Sequence, residues 1–239
     1  MTTAMKLEEM TSKEFAQKVN DKSVVILPMG AIEEHGPHLP LATDCIQPMR
    51  VAERAAKKTG AFIAPMLYYG VCNTTKPYPG TISISFKALR RIVKEILSEF
   101  VRNGFRNIIV LTGHAGQDHM AALRIAAREV VKESKVRILV FSDYDIIYNK
   151  NLLPPEDGHA GMGETSRIMA ERPKLVRARP PAAENRTPEY AVLDDVRQFW
   201  HGWTGAPRKA SASLGRKLDD QVVDEIVRLI RDMGTWRVE

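Results

Sequence analysis

Short apolar runs alternate with amphipathic stretches along most of the chain. Residues 24–27 are uniformly apolar and lead into Pro28 and Gly30, which predicts a buried strand followed by a loop. A second strand is expected over residues 61–67. Between them, Pro48 suits the first turn of a crossover helix that closes at Gly60. Leu89, Ile92, Val93, Ile96, Leu97 and Phe100 then recur at spacings of three and four before Gly104, the pattern of an amphipathic helix with a left-handed stop. Residues 107–112 read as the next strand, Leu123, Ala126, Ala127 and Val130 as one face of the next helix, and residues 137–141 as a further strand. Apolar strands alternating with amphipathic helices predict an α/β fold with a largely parallel sheet covered on both faces. Regularity weakens after Ser142. A helix is expected over residues 164–171, the Pro- and Arg-rich stretch 173–188 reads as an excursion from the sheet, and Val222, Val223, Ile226, Val227 and Ile230 mark a last helix that packs back on the core.

Composition narrows the picture. At 239 residues, 44% hydrophobic and 27% charged, the chain can bury one large core, so residues 1–239 are expected to form a single domain, and disorder is excluded. Its longest apolar runs are of strand length, far short of a bilayer span, and the first residues do not resemble a signal peptide. A cytoplasmic protein with no membrane partner is therefore expected. Cys45 and Cys72 lack CxxC spacing, which indicates neither a disulfide framework nor a thiolate zinc site. The net charge of +6 would suit nucleic acid, but Lys87, Arg90, Arg91 and Lys94 are scattered as on a solvated helix face, and no nucleic-acid motif accompanies them.

The candidate chemistry lies in three loops. Glu33, Glu34, His35, His38 and Asp44 follow the first strand, and His114 and His119 follow the strand at 107–112. In open parallel sheets, ligands bind beyond the carboxyl ends of the strands, so both loops fall where a site is expected. Glu33 and His35, two residues apart on extended chain, point to one side. Gly36, Pro37 and Pro40 turn the loop so that Asp44 can approach them. Carboxylates and imidazoles together suit zinc, manganese or ferrous iron. The third loop carries His159, with Glu164 in the first turn of the following helix, where a carboxylate is also favoured by the helix dipole alone.

The run from Met29 to Asp44 (MGAIEEHGPHLPLATD), together with Thr112-Gly113-His114-Ala115-Gly116, the segment HAGMGETS from His159 to Ser166, and Pro79-Gly80-Thr81-Ile82-Ser83, resembles the creatininase family of amidohydrolases in content and order. The resemblance implies a three-layer α/β/α fold and one or two divalent metal ions (Zn, Mn or Fe). Glu33, Asp44 and His114 would hold one ion and His35 and Asp44 the other, with Asp44 bridging. The implied chemistry is attack of metal-activated hydroxide on a small-molecule amide or cyclic amide, with His159 passing a proton to the departing nitrogen. Gly80, Thr81, Ser83 and Lys76 would contact substrate, and the assembly would be a homo-oligomer, a hexamer being common in the family. Two positions depart from creatinine-hydrolysing members. Gly116 stands where they carry a glutamate ligand, which leaves Glu164 as its replacement, and no tryptophan precedes His159. Weak creatinine turnover is expected. Lys76, Tyr78 and the arginines over residues 172–186 instead suggest an anionic or larger amide. A formamide deformylase, a peptidase-like relative, and a non-catalytic metal-binding subunit remain open.

Overall fold

The computed structural model describes residues 4–177 and 191–236. Its centre is a five-stranded sheet of β1 (Met5–Lys6), β2 (Val24–Met29), β3 (Phe62–Ile63), β4 (Asn107–Thr112) and β5 (Arg137–Ser142), all parallel and ordered β1-β3-β2-β4-β5. Side chains of a strand alternate between faces, so β2 and β4 feed two cores. Val24, Ile26, Ile109 and Leu111 pack against α2 (Thr43–Thr59), α5 (Asp143–Asn149) and α7 (Ala212–Met233). Val25, Leu27, Ile108 and Val110 pack on the other side against α3 (Phe86–Arg102) and α4 (Gln117–Glu133), with Phe15 of α1 (Ser12–Lys18) at the edge. The result is three layers, α/β/α, as the sequence predicts. None of the described helices is long and apolar enough to cross a membrane.

Strand order positions the site. From β2 the chain crosses by α2 to β3 on one side, then returns by α3 to β4 on the other side of β2. Connections that diverge from neighbouring strands leave a crevice at their carboxyl ends. Met29 and Thr112 are register partners at those ends, so the loops that follow them begin side by side.

Four elements differ from the sequence reading. The strand expected over residues 61–67 keeps only Phe62–Ile63 because Pro65 has no N–H for the ladder, and contact with β2 resumes only as a single bridge between Leu67 and Met29. Both α1 and α5 were absent from the expectation. The helix placed from Pro48 begins at Thr43, so proline sits inside it. An interior proline leaves the carbonyl four residues earlier, that of Asp44, without its helical donor. Gly30 and Gly113, just past the ends of β2 and β4, meet that carbonyl, and an added Cβ at either would collide with it. Gly113→Ala is therefore expected to cost about 1–3 kcal/mol through overpacking, read as a lower midpoint in thermal unfolding. A midpoint unchanged from the parent would show that this contact is not tight. Of the Pro- and Arg-rich stretch, residues 178–190 lie outside the described residues.

Candidate metal centre

Glu33, His35, Asp44, His114, His159 and Glu164 converge from three loops, and all but His159 are buried. Nδ1 of His114 lies 2.9 Å from Glu33 Oε1 and 3.1 Å from Asp44 Oδ2. Nε2 of His35 lies 3.0 Å from Asp44 Oδ1 and 3.6 Å from Glu164 Oε2. Asp44 therefore turns one oxygen to each histidine. Glu164, on the first turn of α6 (Met162–Glu171), completes the second group.

The backbone fixes which ring nitrogens face inward. His114 Nε2 donates to the Val71 carbonyl at 2.9 Å, and His35 Nδ1 donates to the Glu33 carbonyl at 3.0 Å. Each neutral ring then presents its lone pair to carboxylate oxygens, which also carry lone pairs. Acceptors facing acceptors in a buried space repel unless positive charge stands between them. Glu33 Oε1 and Asp44 Oδ2 are buried without a hydrogen-bond partner, as expected of oxygens reserved for a cation. Backbone-oriented imidazoles and carboxylates of this kind fit divalent metal ions.

The charge state tells the same story. Burial opposes charge on His35, but Asp44 and Glu164 outweigh it and raise the imidazolium to about 10. His114 moves the same way, burial being overcome by Glu33 and Asp44. Burial also raises Glu164 to about 7, against the pull of His35. The pocket thus draws positive charge to its centre, here in the form of protons. His38 and His119 behave differently: burial lowers them to about 4 and about 3, so both are neutral. His38 Nε2 bonds Thr165 Oγ1 at 2.9 Å, and His119 bonds Thr112 and the Val71 N–H, so these two brace the loops.

His159 lines the cavity with its ring 4.2 Å from that of His35. Its Nε2 donates to the Glu34 carbonyl at 2.6 Å, leaving Nδ1 directed to Glu33 Oε1 at 3.7 Å. The cavity has a volume of about 550 Å³. Its far wall includes Tyr144, Tyr148, Thr204 and Trp200, whose ring stands 5.3 Å from His159. A tryptophan therefore does approach His159, but from a segment about forty residues downstream rather than from the residues before it.

Lys76, Gly80, Thr81 and Ser83, expected to contact substrate, do not line this cavity. Lys76 is exposed. Thr81 Oγ1 accepts from Glu34 N at 3.0 Å and Ser83 Oγ from Cys72 N at 2.9 Å, so these two hydroxyls tie neighbouring loops together. Gly80, at φ +90°, packs on Leu41. No lysine or arginine lines the cavity among the described residues. Sequence reasoning also passed over Thr75, which donates to Glu33 Oε2 at 2.5 Å, and Cys72 beside it. Neither carried a motif signal.

A buried, orphaned carboxylate–imidazole cluster at the carboxyl edge of a parallel sheet defines a divalent-metal site, and comparison with known proteins makes its class that of metal-dependent amidohydrolases. The sequence model of the creatininase family, described as creatinine amidohydrolase, matches residues 8–230, and the chain belongs to that family. It is 29% identical to the creatinine amidohydrolase of Pseudomonas putida, over 97% of this chain and 98% of that protein. It is also 29% identical to the mycofactocin precursor peptide peptidase of Mycobacterium tuberculosis, over 93% and 90% of the two chains. A solved structure described as creatininase Mn superposes with a TM-score of 0.83 at 27% identity, covering 96% of this chain and 98% of that one.

Proposed function

We propose that this chain hydrolyses the C–N bond of an amide at a two-ion centre held by Glu33, Asp44 and His114 on one side and by His35, Asp44 and Glu164 on the other. The observation that carries this reading is the pair of ring nitrogens, His114 Nδ1 and His35 Nε2, each fixed by a backbone carbonyl and each aimed at a different oxygen of Asp44. When bound, the ions supply an activated water and polarise the scissile carbonyl. Asp44 offsets charge on both ions, and Thr75 holds Glu33 in place through Oε2.

His159 transfers the proton to the departing nitrogen. Its Nε2 proton is committed to the Glu34 carbonyl, so Nδ1, which faces the cluster, is the nitrogen that gains and gives up a proton. Trp200, Tyr144 and Tyr148 supply a largely aromatic wall that positions the substrate and excludes water. The cavity volume accommodates a substrate larger than a single small ring. Creatinine turnover is accordingly expected to be low, and a peptide-like amide is the second reading the volume favours. The same reading has the protein working in the cytoplasm as a homo-oligomer. Its two buried, unpaired cysteines suit a reducing compartment, and the exposed Tyr68, Tyr69 and Ile82 offer contact surface.

His159→Gln tests the proton-transfer role. It is expected to lower kcat by about 10²–10⁴ while both metal equivalents remain bound, measured by steady-state kinetics and elemental analysis. A variant that loses metal in parallel with activity would make His159 a ligand, and one with unchanged kcat would remove it from the chemistry.

A further inference from the structure

Cys72 was set aside on sequence grounds because it has no partner cysteine at metal-ligand spacing. In the folded chain its Sγ, a carboxylate oxygen of Glu33 and a ring nitrogen of His114 all lie within 4.8 Å of one another. The residue is buried and unpaired, and it lines the cavity. Its position is tightly set: Ser83 Oγ accepts its N–H, the preceding Val71 carbonyl holds the His114 ring, and Thr75, three residues on, holds Glu33. One short segment thus touches both of its neighbours in the cluster. Independently, Glu33 Oε1 and Asp44 Oδ2 are buried oxygens with no hydrogen-bond partner.

We propose that Cys72 is a thiolate ligand of the ion held by Glu33, Asp44 and His114, and that it makes this position select zinc over manganese. The proposal rests on the metal reading of the site. Its chemistry follows from ligand softness: thiolate favours zinc, whereas carboxylate and imidazole alone leave manganese competitive. Zinc bonds of about 2.0–2.3 Å hold ligand atoms within such a spacing of one another, so the three groups can reach a common ion. Four protein ligands close this position. The group formed by His35, Asp44 and Glu164 has no sulfur and only three ligands, so it keeps an open place for water and substrate. The two positions then differ in both hardness and openness. Cys45 is the internal control, since its thiol donates to the Ala31 carbonyl at 3.4 Å and it belongs to none of the clustered ligand groups.

Cobalt(II) reports sulfur ligation directly, because a thiolate–cobalt bond gives a charge-transfer absorption that nitrogen and oxygen ligands do not. The purified full-length protein, stripped and refilled with cobalt(II), is expected to show this band. Cys45→Ser keeps it and Cys72→Ser loses it, with folding checked by circular dichroism. In competition between zinc and manganese followed by elemental analysis, Cys72→Ser is expected to lower the zinc preference of one equivalent by about tenfold or more. Two equivalents of cobalt bound with no thiolate band, or a band that survives Cys72→Ser, would overturn the proposal and leave the two-ion reading standing. Failure to bind any cobalt would overturn both.

Discussion

Asp44→Asn is expected to release both divalent ions and to lower kcat by about 10³ or more, while the protein stays folded. Asp44 alone faces both histidines, with Oδ1 3.0 Å from His35 and Oδ2 3.1 Å from His114. The amide keeps the shape but removes the one negative charge that both proposed ions would share. Metal ions contribute several kcal/mol of transition-state stabilisation in such hydrolases, and each 1.36 kcal/mol is tenfold in rate. The fold tolerates the change because the Asp44 backbone, not its side chain, makes the close approach to Gly30 and Gly113. Elemental analysis after dialysis decides the matter, and a variant that retains two equivalents would end the bridging role.

Arg167→Met is expected to lower stability by about 3–5 kcal/mol, because it leaves Asp143 buried without a cation and Asp219 with Arg50 alone. In a chain of this size that corresponds to a fall in Tm of roughly 10 °C. Arg167 is fully buried and spends its guanidinium three ways, at 2.7 Å each: Nε to Asp219 Oδ1 on α7, one terminal nitrogen to Gln47 Oε1 on α2, and the other to Asp143 Oδ2 on α5. Arg50 reaches the remaining oxygen of Asp219 at 3.1 Å. The planar fork matters, so Arg167→Lys restores charge but not all three contacts and is expected to recover only part of the loss. Gln47 is three residues beyond Asp44, and Arg167 three beyond Glu164, so the same guanidinium sets the helices that carry two of the proposed ligands. Loss of metal affinity is expected to accompany loss of stability, measured by thermal unfolding and metal titration. A Tm within about 2 °C of the parent would show that the network does not hold the helices.

The elements legible before folding are those whose signal is local and long enough to repeat. Residues 107–112 form a central strand buried at every position, its inner residues 108–111 are uniformly apolar, and the strand appears at its predicted bounds. The face Leu89, Val93 and Leu97 of α3 repeats over more than two turns. The two missed helices, α1 and α5, have seven residues each, too few for periodicity to emerge. Their start signals were nevertheless present as capping boxes, Thr11 with Glu14 and Ser142 with Asp145. Pro48 misled in the opposite sense, because its usual place is the first turn, and only the approach of two glycines from the ends of neighbouring strands shows why it is accommodated further in.

By itself, the sequence determined the layered α/β fold, the two strand ends where chemistry gathers, and the donor types there, because hydrophobic period, turn residues and motif composition are properties of neighbouring positions. Tertiary structure alone decided which donors meet. It brought Glu164 to His35 through the docking of α6, set Cys72 beside Glu33 and His114, supplied Trp200 from a distant segment, and turned Thr81 and Ser83 away from the cavity to brace the loops. These contacts join residues that are far apart in the chain, and their distances depend on strand order and on a buried arginine network that no local pattern encodes.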